Sequence, residues 1–339
     1  MRTSRTSSVR RKAVVLAAAV AAASGLTLVA APAQAATALS GTAGALVGTN
    51  NAGGTCSNTG GDDADDISGF TSNGSTRTHS VASNGTITDS GDAGDVTTWS
   101  ASAKTTTRAA QTSSTASLSV TAVLKARVTS AQGSMTGCAP SASAGAQVFG
   151  LLSLAHPGWV QIDATVPRGA QFVAVVVPLS QSLPVQTIQY NAATYHSRLW
   201  FDSGQYIVQV VAQVQADTDP ATVGSTSVNG TLTASLKALP GGAATGAAAG
   251  PGRAYVTLPG GVGCVDGTVA VPFTGKAGKV ASATFYVNGK KRAAVSGPRP
   301  GTAVILRGVS ATSDAAVRAV VKPRTGKAVS VTRSYLACS

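Results

Sequence analysis

Between residues 118 and 128, Leu118, Val120, Ala122, Leu124, Ala126 and Val128 alternate with positions that include Ser119, Thr121, Lys125 and Arg127. Successive side chains of a strand point to opposite faces, so this period of two describes a strand with one buried and one wet side. Similar runs predict strands at 94–103, 116–129, 146–152, 158–166, 170–177, 185–190, 198–202, 205–215 and 225–237. Gly204-Gln205-Tyr206 reads as a turn that feeds the buried set Val208, Val210, Ala212 and Val214. Nine short strands punctuated by Gly, Pro, Asp and Asn predict an antiparallel β-sandwich of jelly-roll type. Residues 36–95 are rich in Gly, Ser, Thr, Asn and Asp with few large apolar groups, and much of that stretch reads as loop. The chain has no Glu and is dominated by Ala, Thr, Ser, Val and Gly, which favours strands and turns over helices.

Residues 1–35 have the layout of a secretion signal. Arg2, Arg5, Arg10, Arg11 and Lys12 form a basic start, residues 13–31 are apolar, and Ala33-Gln34-Ala35 is a small-residue cleavage site. Arg10-Arg11 sits in surroundings that match a twin-arginine signal poorly, so the general export route is expected. No later apolar run is long enough to cross a membrane, no Cys at the cleavage point takes a lipid, and no hydrophobic tail follows Cys338-Ser339. The expected product is extracellular, released or held noncovalently at the cell wall. About 300 mature residues suggest two domains. They divide into a sandwich at 36–238, a flexible Gly/Ala-rich linker at 239–252 and a small module at 253–339.

Charge follows the same division. Residues 253–339 hold thirteen Lys or Arg against Asp266 and Asp314, a formal +11, while residues 36–252 hold eight basic residues against eleven Asp, or −3. Clustered charge of one sign attracts polyanions. Lys290, Lys291 and Arg292 follow a predicted turn at Asn288-Gly289, and Lys322, Arg324 and Lys327 flank another at Thr325-Gly326. These six are the candidate anion-binding residues, for phosphate-bearing wall polymers or another anionic envelope surface. Scattered strand-edge Lys and Arg also serve solubility, but that accounts less well for so large an excess.

Four Cys, at 56, 138, 264 and 338, are an even set suited to an oxidising compartment. Four Cys allow three pairings, of which Cys56 with Cys138 and Cys264 with Cys338 is the economical one. Zinc is disfavoured, since no Cys-x-x-Cys occurs.

In the small module, strands read at 254–258, 267–273, 280–287, 290–295, 302–307, 314–322 and 327–336. The phrases Cys264-Val265-Asp266-Gly267, Ala283-Thr284-Phe285-Tyr286-Val287-Asn288-Gly289-Lys290 and Thr332-Arg333-Ser334-Tyr335-Leu336-Ala337-Cys338 resemble immunoglobulin-like modules appended to secreted surface proteins of high-GC Gram-positive bacteria. The resemblance covers only this module, which lacks the buried Trp of antibody domains. It implies an immunoglobulin-like sandwich with an accessory or adhesive role. The expected fold is thus all-β throughout.

Other constellations point to weaker alternatives. Trp99, Trp159 and Trp200 suggest a stacking face for polysaccharide, against the plainer role of core aromatics. Asp62, Asp63, Asp65 and Asp66 crowd enough carboxylates for calcium but do not follow an EF-hand loop. His79, His156 and His196 lie in no catalytic motif, and a hydrolase would require a cleft joining His156 or His196 to an Asp and a Ser. The expectation is a non-catalytic binding or adhesion protein without a cofactor and without sequence-specific nucleic-acid reading.

Overall fold

A computed structural model describes residues 37–50, 56–61, 63–112, 114–130, 140–179, 186–191, 194–217, 224–309 and 312–339. The expected secretion signal lies outside them. Thirteen strands build the larger sandwich: β1 (Ala38–Asn50), β2 (Cys56–Gly60), β3 (Ala64–Thr71), β4 (Asn73–Asp89), β5 (Asp92–Gln111), β6 (Ala116–Ser130), β7 (Ser141–Leu154), β8 (Gly158–Thr165), β9 (Ala170–Pro178), β10 (Gln186–Asn191), β11 (Thr194–Phe201), β12 (Gly204–Asp217) and β13 (Gly224–Pro240). They form sheet A, in the order β10-β9-β12-β7-β1-β3, and sheet B, in the order β11-β8-β13-β6-β5-β4-β2.

Strands β6 to β13 wind as a jelly roll. The first pairs with the last and the nesting continues inward: β6 with β13, β7 with β12, β8 with β11 and β9 with β10. The nested pairs join side by side through β8 with β13 and β9 with β12, giving two four-stranded layers. The alternation seen in sequence fixes their faces. In β6 the even-numbered residues 116–130 are buried, and Leu118, Leu124, Ile162, Phe172, Leu152 and Leu232 fill the space between the layers.

Residues 36–95, expected to be largely loop, instead supply most of a wing that extends both sheets. β1 pairs with β7 and β3, while β5 pairs with β6 and β4, and β4 pairs with β2. Glycine is a structural requirement there. A Cβ on Gly41 would lie 2.0 Å from the Phe149 carbonyl oxygen, and one on Gly44 would lie 2.5 Å from that of Asp66. Close backbone approach thus produced the Gly-rich composition that resembles loop.

The smaller sandwich contains β14 (Thr268–Pro272), β15 (Val280–Val287), β16 (Lys290–Ser296), β17 (Ala303–Arg307), β18 (Ala315–Pro323) and β19 (Val329–Tyr335). One layer pairs β14 with β17, and the other has the order β16-β15-β18-β19. Asn288 and Gly289 adopt φ values of 49° and 76°, as a two-residue hairpin turn requires. The strand expected at 254–258 is reduced to a single bridge between Val256 and Phe273, preceded by a 3-10 turn at Pro251–Ala254. Phe273 and Phe285 meet edge to face at 6.0 Å in the core. Tyr335 is fully buried, its hydroxyl donates to the Pro259 carbonyl at 3.0 Å, and burial pushes its pKa up to about 12.

The stretch expected as a free linker is tied down. Ala243, Ala244 and Ala249 bridge to Gly261, Tyr335 and Thr332, and the Gly242 amide donates to the Ala337 carbonyl. Small side chains here allow the chain to lie against its neighbours: a Cβ on Gly242 would meet the Cys264 sulfur at 2.7 Å. Residues 35–339 form one compact unit. Cys264 and Cys338 are joined, with Cα atoms 5.5 Å apart. Cys56 is also disulfide-bonded, while its expected partner, Cys138, lies outside the described residues.

Candidate functional site

The six basic residues proposed to bind anions do not form one cluster. Val287 pairs with Val317 and Val280 with Pro323. The 288–289 turn therefore sits at one end of the β15–β18 ladder and the turn after β18 at the other, about 24 Å away at ~3.4 Å per residue. A register shift between Phe285 and Tyr286 leaves Arg292 out of the ladder. Its guanidinium lies against Gly308, where a Cβ would approach Cζ to 2.9 Å. Arg324 is engaged as well, donating from Nε to the Gly278 carbonyl at 3.1 Å.

A basic face runs between these ends. Lys291, Tyr286, Arg318 and Thr332 stand opposite one another across four strands, and Lys322 stands opposite Ser282 on the same side. Tyr286, Gly289, Ala316, Arg318, Val320 and Thr332 line a groove of about 320 Å³. Tyr286 thus stands in register between Lys291 on one neighbouring strand and Arg318 on the other. The module's two acids are committed elsewhere: Asp266 accepts from the Thr268 hydroxyl, and Asp314 pairs with Arg198 at 2.8 Å and accepts the Ala337 amide at 3.0 Å. Sequence reasoning missed Arg318, although its alternation with buried Val317 and Ala319 placed it on the wet face.

The three Trp do not share a platform. Trp99 is in the core, 3% exposed, with its indole donating to the Asn58 side-chain oxygen at 3.0 Å. Trp159 and Trp200 are cross-strand partners whose ring planes stand 71° apart, with the Arg198 guanidinium 5.0 Å from the Trp159 ring centre. Trp159 and Arg198 tie the larger sandwich to the smaller one: Trp159 donates to the Ala337 carbonyl at 2.9 Å and Arg198 pairs with Asp314.

The acidic cluster is likewise dispersed. Strand alternation sends Asp65 and Asp66 to opposite sides of β3. Asp63 accepts the Thr49 amide at 2.9 Å, whereas Asp66 accepts from His79 at 3.0 Å and from the Ser80 amide at 2.9 Å. These bonds, led by the one to His79, hold the Asp66 carboxyl below its ordinary value. Asp62 lies outside the described residues. Among the described residues no group of three ligating side chains is placed to hold a metal.

Two His residues meet an Asp. His196 bonds Asp163, which also accepts from Gln161 at 2.8 Å. Burial pushes the Asp163 carboxyl up, but these hydrogen bonds outweigh it and the net shift is downward. Ser235 stands across from Asp163 rather than beside His196, and among the described residues the bond shown for the imidazole is the one to Asp163. In the wing, His79 lies between Asp66 on Nδ1 and Ser68, 3.3 Å from Nε2. The order matches a nucleophilic triad, with His79 5% exposed and Ser68 exposed. These contacts satisfy the buried imidazole on both nitrogens and link β3 to β4 across the open side of the wing.

No family model and no curated relative matches this chain. Among solved structures it is similar to the adhesin domain of Epf from Streptococcus pyogenes, at 9% identity and a TM-score of 0.17, over 75% of this chain and 90% of that one. A likeness at that level bears no weight on function. Among the described residues no helix is long and apolar enough to cross a membrane.

Proposed function

We propose that this is a secreted, non-catalytic binding protein of a bacterial envelope, whose C-terminal sandwich is drawn to anionic surface polymer. The observation that carries this is the in-register face of Lys291, Arg318 and Lys322 around Tyr286, in a module with a formal charge of +11. Long cations on one side of a sheet sum their fields over a flat surface and need no deep pocket to hold a flexible polymer. The braced junction then carries the larger sandwich with the basic module as one body.

The test is retention of the mature protein on immobilised polyglycerol phosphate. Each exposed pair contributes about 0.2–1 kcal/mol, so the triple variant Lys291→Ala, Arg318→Ala, Lys322→Ala should bind roughly tenfold more weakly. Raising salt should release the wild type, because screening shortens to about 3 Å at 1 M. Retention that ignores both changes would sink the electrostatic reading. Absence of catalysis has its own check: hydrolysis of ester-bearing wall polymer that is lost in Ser68→Ala would overturn it.

A further inference from the structure

The larger sandwich has a net formal charge of −3, yet its cations are not spread evenly. Successive rows across the outer face of sheet B show this. The first row runs Arg198, Gln161, Lys237, Ser117 and Ala110, and the second runs His196, Asp163, Ser235, Ser119 and Arg108. In the third, Thr194, Thr165, Thr233, Thr121, Thr106 and Thr78 stand in line across six strands. Lys104 stands in the fourth row, opposite Val123, while Lys125 and Arg127 occupy the fifth and sixth. Lys237, Arg108, Lys104, Lys125 and Arg127 thus mark five of six rows, on three strands that are neighbours in the sheet. All five are exposed.

We infer that this face is a binding track for a linear acidic polysaccharide. Rows two residues apart lie about 7 Å from one another, so the track runs for roughly 34 Å with close to one cation per row. Among the described residues none of the five is in a salt bridge; Arg108 donates from Nε to the Gly74 carbonyl and Arg127 from Nε to the Ser225 hydroxyl, both at 2.9 Å and both to neutral oxygens that leave the charge uncompensated, and Asp163, the acid in Arg108's row, is held by His196 and Gln161. The surface between the cations is mostly Ser and Thr, interrupted by Ala110, the exposed Val123 and Asn229, and the hydroxyls both donate and accept, as sugar hydroxyls require. Duplex DNA, with one charge per about 1.7 Å, calls for denser cations, and single strands call for aromatic stacking within the track. The aromatic pair Trp159 and Trp200 lies one row beyond Lys237 and Arg198, at the junction.

This surface is separate from the basic face of the C-terminal module and is testable apart from it. Polygalacturonate is the probe, with neutral dextran and duplex DNA as comparisons, on the full mature chain. The variant Lys104→Ser, Arg108→Ser, Lys125→Ser, Arg127→Ser should lose about tenfold or more in affinity for polygalacturonate, whereas the C-terminal triple variant should keep most of it. In the unaltered protein, bound polygalacturonate should protect Lys104, Lys125 and Lys237 from acetylation, a readout that does not depend on a variant folding. Unchanged affinity in the quadruple variant, or equal acetylation with and without polymer, would overturn the track whatever polyglycerol phosphate does. Dextran binding as tight as polygalacturonate would remove the role of charge, and tighter track-dependent binding of DNA would reassign the partner.

Discussion

The roll of β6–β13 and the wing of β1–β5 share one sandwich, but their interiors differ in kind. Inside the roll lie Leu118, Leu124, Leu152, Ile162, Phe172, Leu232 and Leu236; at comparable depth the middle of the wing holds Ala43, Ala45, Ala101, Ala103, Thr105, Thr107 and His79. A fully buried Leu or Phe side chain contributes about 1.5–3 kcal/mol, and Ala far less. The wing therefore gains more from adding strands to edges already present, β1 on β7 and β5 on β6, than from a core of its own. It follows that the wing should not outlast the roll.

The largest expected effect tests that dependence. Phe172→Ala removes a ring that is 1% exposed at the centre of the roll, and should cost about 3–5 kcal/mol in denaturant unfolding. Wing and roll should lose structure in one transition. Amide exchange showing β4 and β5 still protected after the roll has opened would break the comparison, since the wing would then have stability of its own.

The same difference explains what was legible. Large apolar residues on alternate positions announced β6, β8, β9, β12 and β13, and the sandwich expected from them has the nested pairing of a jelly roll across β6–β13. In β1 the alternating inward residues are Leu39, Gly41, Ala43, Ala45 and Val47, and in β4 the buried positions include His79. Hydrophobicity barely varies between the two faces of such strands, so period two leaves little trace. The basic faces were hidden for a different reason. Net charge averages over a domain, whereas Lys104 and Arg108, or Lys125 and Arg127, share a face only because their spacings are even. Closeness in sequence, or shared residue type, says nothing of which way a strand turns each side chain: Asp65 and Asp66 fall on opposite sides of β3, and Trp99 lies in the core while Trp159 and Trp200 are cross-strand partners.

A smaller effect, of opposite sign, sharpens the contrast. Among the described residues the buried hydroxyls of Thr105 and Thr107 have no hydrogen-bond partner. Leaving a buried donor unsatisfied costs about 1–3 kcal/mol. Thr105→Val or Thr107→Val keeps the branched shape that suits a strand and removes the polar atom. Each should raise stability by about 1 kcal/mol, read as a higher denaturant midpoint at unchanged slope. Polar-for-apolar exchange inside the roll, such as Val120→Thr, should do the reverse. A loss of stability in both wing variants would mean that these hydroxyls have partners in solution.

The smallest effect concerns the open side of the wing, where Asp66 is held below the ordinary carboxyl value of 3.8 by its bonds to His79 and the Ser80 amide. A carboxyl with a depressed folded-state pKa stabilises the fold above its unfolded value and loses that contribution as pH falls through the folded one. Lowering pH through and below about 4 should therefore loosen the contact between β3 and β4 before it disturbs the aliphatic interior of the roll. Amide exchange along β3 and β4 should quicken in that window, while the amides of β6 and β13 stay protected. Asp66→Asn removes the titrating group, so these amides should exchange faster already at neutral pH and respond less to acid. If the variant instead keeps the full acid response, the pH sensitivity of the wing resides in other carboxyls, and the His79 bond is only one contact among many.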